Sequence, residues 1–200
     1  MQSPPSPPSP DEEHEFVLSD PSDEVLCGGV GRALCILASH PSGDSWSNVL
    51  FDERVNEFAP TVLLYHAPKR DLQMFVKRLV FYLDLTSAEL VTAYVLLESF
   101  LRAEQRHAAA RHCVRLLMTA CISLAVKTLT DTAITTRYIA SIVRSGGFWL
   151  DSKLLCRMER VVLKTLDYRI IYQPEVYCRY SIELVRLCDP LAIPPDLGMR

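Results

Sequence analysis

Few residues in this chain have the types and spacing of a catalytic or metal-binding site. Glu104 and His107 are three residues apart, which places a carboxylate and an imidazole on one face of a helix. A di-iron site in a helical bundle needs two such motifs and two further inward carboxylates, and the chain has only this one, in a polar stretch. No HExxH, GxSxG or Walker sequence occurs, and no cysteine stands beside an evident base. We therefore expect no catalytic site, metal site or cofactor, and a protein that is not an enzyme.

Two charged residues occupy unusual positions in otherwise apolar helical patterns. Lys127 directly follows residues 116–126, none of which is charged, and Glu159 interrupts an apolar stripe formed by Leu155, Met158 and Val162. A charge in such surroundings is costly unless a partner compensates it. From the residues alone, the two side chains pair with each other, or Lys127 simply reaches water past the helix end, or both are held for another polypeptide.

The elements that position these residues are predicted to be helices. Residues 116–126 are apolar nearly all round, as in a helix packed inside a bundle, and span about 16 Å, about half of a bilayer. We therefore expect a core helix and no membrane span. Apolar periodicity, caps and breakers predict helices over about 23–39, 70–84, 86–106, 110–129, 135–145, 151–166 and 175–188. Thr86 and Glu89, three residues apart, predict a capping box at the start of the third of these helices. No useful strand-like alternation occurs, so the predicted fold class is all-α.

Composition narrows the class of protein further. Of the 24 acidic residues, seven lie in residues 1–24, which contain no lysine or arginine; the remaining 17 face 21 basic residues, a net charge of about +4. Residues 25–200 are therefore only mildly basic, and we do not expect nucleic acid to be the main partner of the chain. The seven cysteines show no CxxC spacing, and the N-terminus has no basic-then-apolar export signal. We expect reduced thiols and an intracellular protein, in the cytoplasm, the nucleus or both, rather than a disulfide or zinc framework.

The order and spacing of the helices resemble a known family. The segments AVKTLTD at 125–131, YIA at 138–140 and MERVVLKTLDYRI at 158–170 resemble the cyclin box, and look most like the phosphate-regulation (P/U-type) cyclins and their cyclin Y relatives. Residues 70–86 and 176–184 are similar to the opening and closing helices of that group. The chain departs from these relatives by carrying Thr135 and Thr136 where they often have asparagine, and by a longer stretch that includes residues 144–149.

This resemblance implies a fold and a domain organisation. It implies a single five-helix cyclin-box bundle around a central apolar helix, with flanking N- and C-terminal helices. The predicted divisions are a disordered Ser-Pro and acidic tail at 1–21, an N-terminal helix and loop at 22–69, the cyclin box at 70–172, and a C-terminal helix and short tail at 173–200.

The resemblance also implies a function. A cyclin of this kind is a non-catalytic subunit that binds and activates a cyclin-dependent protein kinase as a heterodimer, here in cell-cycle or nutrient and phosphate signalling. By motif match, Lys127 and Glu159 would lie at the kinase interface and bond to kinase backbone, and Asp131 is a further candidate for a charged contact. The alternative is a cyclin-fold adaptor that binds nucleic acid or transcription machinery.

Overall fold

The computed structural model describes residues 21–39, 69–103, 107–131, 134–145 and 150–188, and in these ranges it is helical without strands. The helices are α1 (Pro21–Ser39), α2 (Lys69–Leu83), α3 (Ser87–Ala103), α4 (His107–Leu129), α5 (Thr136–Ser145), α6 (Ser152–Thr165) and α7 (Pro174–Cys188). The all-α prediction is confirmed, and the predicted helix bounds differ from these by a few residues at most.

Helix α4 lies at the centre of the bundle. It packs against α1, α3 and α6, and every residue from Leu116 to Val126 is buried. The flanking helices close the remaining sides, because α1 packs against α2 and α7, and α5 packs against α2 and α6. Within the described residues no helix is both long and apolar enough to cross a bilayer.

Local sequence sets where the helices begin and end. Thr86 and Glu89 form the predicted capping box of α3: the Thr86 N–H donates to Glu89 Oε2 at 2.7 Å, and the Glu89 N–H donates to Thr86 Oγ1 at 3.3 Å. Asp84 follows α2 with a φ of 50°, and the N–H of Leu85 donates back to the carbonyl of Val80 at 3.0 Å. This left-handed residue ends α2 and redirects the chain into α3.

The glycines of α1 allow an unusually close helix contact. A Cβ atom added to Gly29 would lie 2.1 Å from the Leu184 carbonyl oxygen of α7, and one added to Gly31 would lie 2.8 Å from Cγ of Gln73 in α2. Glycine is poor for a helix interior, but here it lets backbone meet backbone. The Arg32 guanidinium strengthens the same α1–α7 contact by donating to the Leu187 carbonyl at 2.9 Å.

Candidate functional site

The end of α4 and the middle of α6 bring Lys127 and Glu159 together. The Lys127 ammonium lies 2.7 Å from Glu159 Oε1 and 2.8 Å from Oε2, and it also donates to Thr136 Oγ1 of α5 at 2.6 Å. All three ammonium protons therefore have an acceptor within the chain. Of the arrangements that the sequence left open for Lys127 and Glu159, this structure has the one in which the two side chains pair with each other.

Burial differs between the two partners. The Lys127 side chain is 32% exposed, whereas that of Glu159 is 11% exposed. Lys127 follows a buried stretch of helix, but its side chain is not buried; it lies at the rim of the bundle. Glu159 lies beneath it, and one edge of the ion pair faces solvent.

Ser123 completes the surroundings of the carboxylate. It lies one helical turn before Lys127 in α4, it is fully buried, and its hydroxyl donates to Glu159 Oε1. Glu159 Oε1 thus accepts from Ser123 and Lys127 and, at 3.5 Å, from the Thr136 hydroxyl, while Oε2 accepts only from Lys127 among the described residues. Since a carboxylate oxygen can accept two hydrogen bonds, Oε2 keeps room for another donor.

A second buried carboxylate lies near the same end of α4. Glu89 is 4% exposed, and besides its part in the capping box, its Oε1 lies 3.2 Å from Thr130 Oγ1 and shares that hydroxyl hydrogen with the Val126 carbonyl, to which Thr130 also donates. This contact ties the start of α3 to the residue that follows α4. Sequence analysis identified the capping box but not this bridge, nor the contacts of Ser123 and Thr136 with the ion pair.

The third candidate residue is separate from this network. Asp131 is exposed just beyond α4, and it forms no hydrogen bond or ion pair with the described residues. The Glu104–His107 pair and the longer stretch at 146–149 lie outside the residues whose side chains the structure describes.

The rest of the described chain offers little for covalent or metal chemistry. No disulfide joins any two of the six cysteines with described side chains, and burial raises the pKa of Cys27 to about 12 and also raises that of Cys121. A thiol held in its protonated form is a poor nucleophile. No grouping of three or more potential metal ligands occurs among the described residues.

Comparison with known proteins identifies the family. Residues 59–171, more than half of the chain, match the cyclin N-terminal domain. The chain belongs to the cyclin family, whose members are regulatory subunits and not enzymes. Searches of curated proteins and of solved structures with the chain returned no match.

Proposed function

We propose that this cyclin binds and activates a cyclin-dependent protein kinase, and that the Lys127–Glu159 pair forms the centre of the contact. The observation that carries the proposal is the position of this pair: a hydrogen-bonded ion pair at the rim of the bundle, with its lysine one-third exposed, in a chain of the cyclin family. Asp131 is proposed as a secondary charged contact.

The geometry allows the pair to serve another chain without being broken. Lys127 can exchange the Thr136 hydroxyl for a backbone carbonyl of the partner and keep both bonds to Glu159. The free acceptor position on Glu159 Oε2 can take a partner N–H. Both bonds would form at an interface that excludes water, where a charge-assisted hydrogen bond contributes more than it does in solvent.

The helices that carry Lys127 and Thr136 also expose large apolar side chains. Leu129, two residues after Lys127, is 49% exposed, and Tyr138, two residues after Thr136, is 39% exposed. Interfaces concentrate their binding energy in such apolar and aromatic anchors around a few desolvated polar contacts. A cyclin acting here does no chemistry; it binds the active arrangement of the kinase more tightly than the inactive one and so shifts the population toward it.

We further propose that the chain belongs with the phosphate-regulation type of cyclin and acts in cell-cycle or nutrient signalling. This finer placement rests on the segments at 125–131, 138–140 and 158–170.

The functional test uses purified cyclin-dependent kinases of several subclasses. Each kinase is mixed with the full chain, and binding and phosphorylation of a peptide substrate are measured. We expect at least one kinase to bind at a one-to-one ratio and to gain activity, with kinases of the phosphate-regulation type preferred. Failure of every kinase to bind would contradict the proposed function, and binding without any gain in activity would contradict the activating role.

A further inference from the structure

One face of α6 carries positive charge only. Lys153, Arg157, Arg160 and Lys164 follow each other at intervals of four, three and four residues, which places them on one side of the helix. All four side chains are exposed, and none forms a hydrogen bond or an ion pair with another described residue. We call these four residues the basic face of α6.

Among the described residues, the acids near this helix do not neutralise the basic face. Glu159 is the single acid within α6, it is mostly buried, and it is paired with Lys127. Asp151 precedes the helix, and Asp167 follows it beside Arg169, at 3.7 Å. Like charges three and four residues apart on a helix repel each other, so an acidic occupant would be stabilised here.

The same chain contains a segment of opposite charge. Residues 11–20 carry Asp11, Glu12, Glu13, Glu15 and Asp20 and no lysine or arginine. We propose that this acidic segment docks on the basic face of α6 in its own chain. The proposal does not depend on kinase binding, because it concerns the exposed face of α6 and not the Lys127–Glu159 pair.

The attachment point of the acidic segment favours this docking. The segment joins the chain at the start of α1, where Asp23 accepts a hydrogen bond from Ser87 at the start of α3. Two residues further along α3, Glu89 bonds to Thr130 beyond the end of α4. The start of α1 therefore lies at the end of the bundle where Lys127 of α4 reaches α6.

The acidic segment is also long enough to extend along the whole basic face of α6. Ten residues in extended conformation reach about 33 Å, whereas the twelve helical residues from Lys153 to Lys164 rise only about 16 Å. Exposed ion pairs are individually weak, but attachment to the same chain gives the segment a millimolar-range effective concentration, so several weak contacts can act together. Such docking must weaken as salt is added.

A carbodiimide, which couples carboxylates to nearby amines, tests the contact in the full chain. The chain has five lysines, at positions 69, 77, 127, 153 and 164, so the acceptors are easily distinguished by mass spectrometry. We expect residues 11–20 to couple to Lys153 and Lys164 and not to Lys69, and this coupling to be lost at about 1 M salt, where the Debye length is about 3 Å. Glu24 and Lys77, whose charged atoms lie 2.8 Å apart, provide an internal positive control for coupling at low salt.

Two matched variants locate the site. Arg157→Gln with Arg160→Gln removes two charges from the basic face and should lower coupling to Lys153 and Lys164 several-fold. Arg157→Lys with Arg160→Lys retains the charge and adds two amines, so the acidic segment should now couple at positions 157 and 160 as well. Circular dichroism verifies that both variants keep their helical content.

Three results would overturn the inference. Equal coupling to Lys69 and to the basic face would mean that the segment has no preferred position. Cross-links between isotopically heavy and light chains in a mixture would mean that it docks on a second copy. Tight binding of duplex DNA or RNA by the full chain at physiological salt, lost in the glutamine variant, would mean that the basic face serves nucleic acid.

Discussion

The Lys127 ammonium contacts both carboxylate oxygens of Glu159, at 2.7 and 2.8 Å, although the two residues are 32 positions apart and belong to different helices. The contact joins the end of the central helix to the most buried charge of α6. Within the isolated chain the pair is structural. The exposed edge of the ion pair makes the pair accessible to a partner. Because the same two residues would then serve both folding and binding, the stability of the chain and its affinity for a partner must be measured separately.

The two halves of this pair should not contribute equally to stability. Lys127→Met leaves the largely buried Glu159 with Ser123 as its remaining close donor, and should lower the free energy of unfolding by about 1–3 kcal/mol. Glu159→Gln leaves a lysine that is one-third exposed and can be hydrated, and should cost less than about 1 kcal/mol. Urea denaturation of both variants measures the difference, and equal or reversed losses would contradict the assigned burial.

The bridge from Glu89 to Thr130 should make Glu89 more important than an ordinary capping residue. Glu89→Ala removes the acceptor for the Thr86 N–H and for the Thr130 hydroxyl, and should cost about 1–3 kcal/mol. Glu89→Gln keeps one carbonyl acceptor and should cost clearly less. Thr130→Val leaves the cap intact and removes the hydroxyl, and with it both the contact with Glu89 and the bond to the Val126 carbonyl. If thermal unfolding shows that this valine variant is as stable as the parent chain, the bridge contributes nothing.

The α1–α7 contact predicts different effects at adjacent glycines. Gly29→Ala would place Cβ 2.1 Å from a backbone oxygen of Leu184, which cannot move unless the helices separate, and should cost about 1–3 kcal/mol or more. Gly28→Ala meets the Cys188 sulfur at 2.7 Å, and that side chain can rotate away. The second change should therefore be milder, and Cys188→Ala should offset it. Comparable unfolding midpoints for the two alanine variants would argue against backbone contact at Gly29.

Buried titratable groups predict a loss of stability in alkali. Burial raises the pKa of Cys27 from 9.0 to about 12, and burial together with a hydrogen bond to Glu98 raises that of Tyr180 from 10.0 to about 12. The unfolded chain therefore releases these protons first, so stability is fully present below about pH 9 and falls as the pH rises toward about 12. Urea midpoints measured between pH 8 and pH 11 should decline. Cys27→Ala should flatten that decline, and an unchanged slope in this variant would disprove the contribution of Cys27.

Local and tertiary features of this protein differed in how well the sequence predicted them. The capping box at Thr86 and Glu89 follows from residue types three positions apart, so sequence alone was enough. The hydrogen bonds from Ser123 to Glu159 and from Thr130 to Glu89 depend on how helices cross, which no local pattern specifies. A polar Ser123 one turn before Lys127 on an apolar helix was the available signal. Gly29 is a poor residue for a helix interior, and only the position of Leu184 in α7 explains its presence in α1.

The role of Lys127 and Glu159 in partner binding stays a prediction, and one affinity measurement tests it most directly. A kinase that binds the full chain is titrated with the Lys127→Ala/Glu159→Ala double variant and with a matched control, Glu24→Ala/Lys77→Ala. The control removes an ion pair of similar length, 2.8 Å against 2.7 Å, between α1 and α2. The proposed contact predicts that the first variant loses about 2–5 kcal/mol of binding free energy, at least about 30-fold in Kd, while its circular dichroism stays helical. The control should bind like the parent chain. Unchanged affinity in the folded Lys127→Ala/Glu159→Ala variant would show that the partner binds elsewhere.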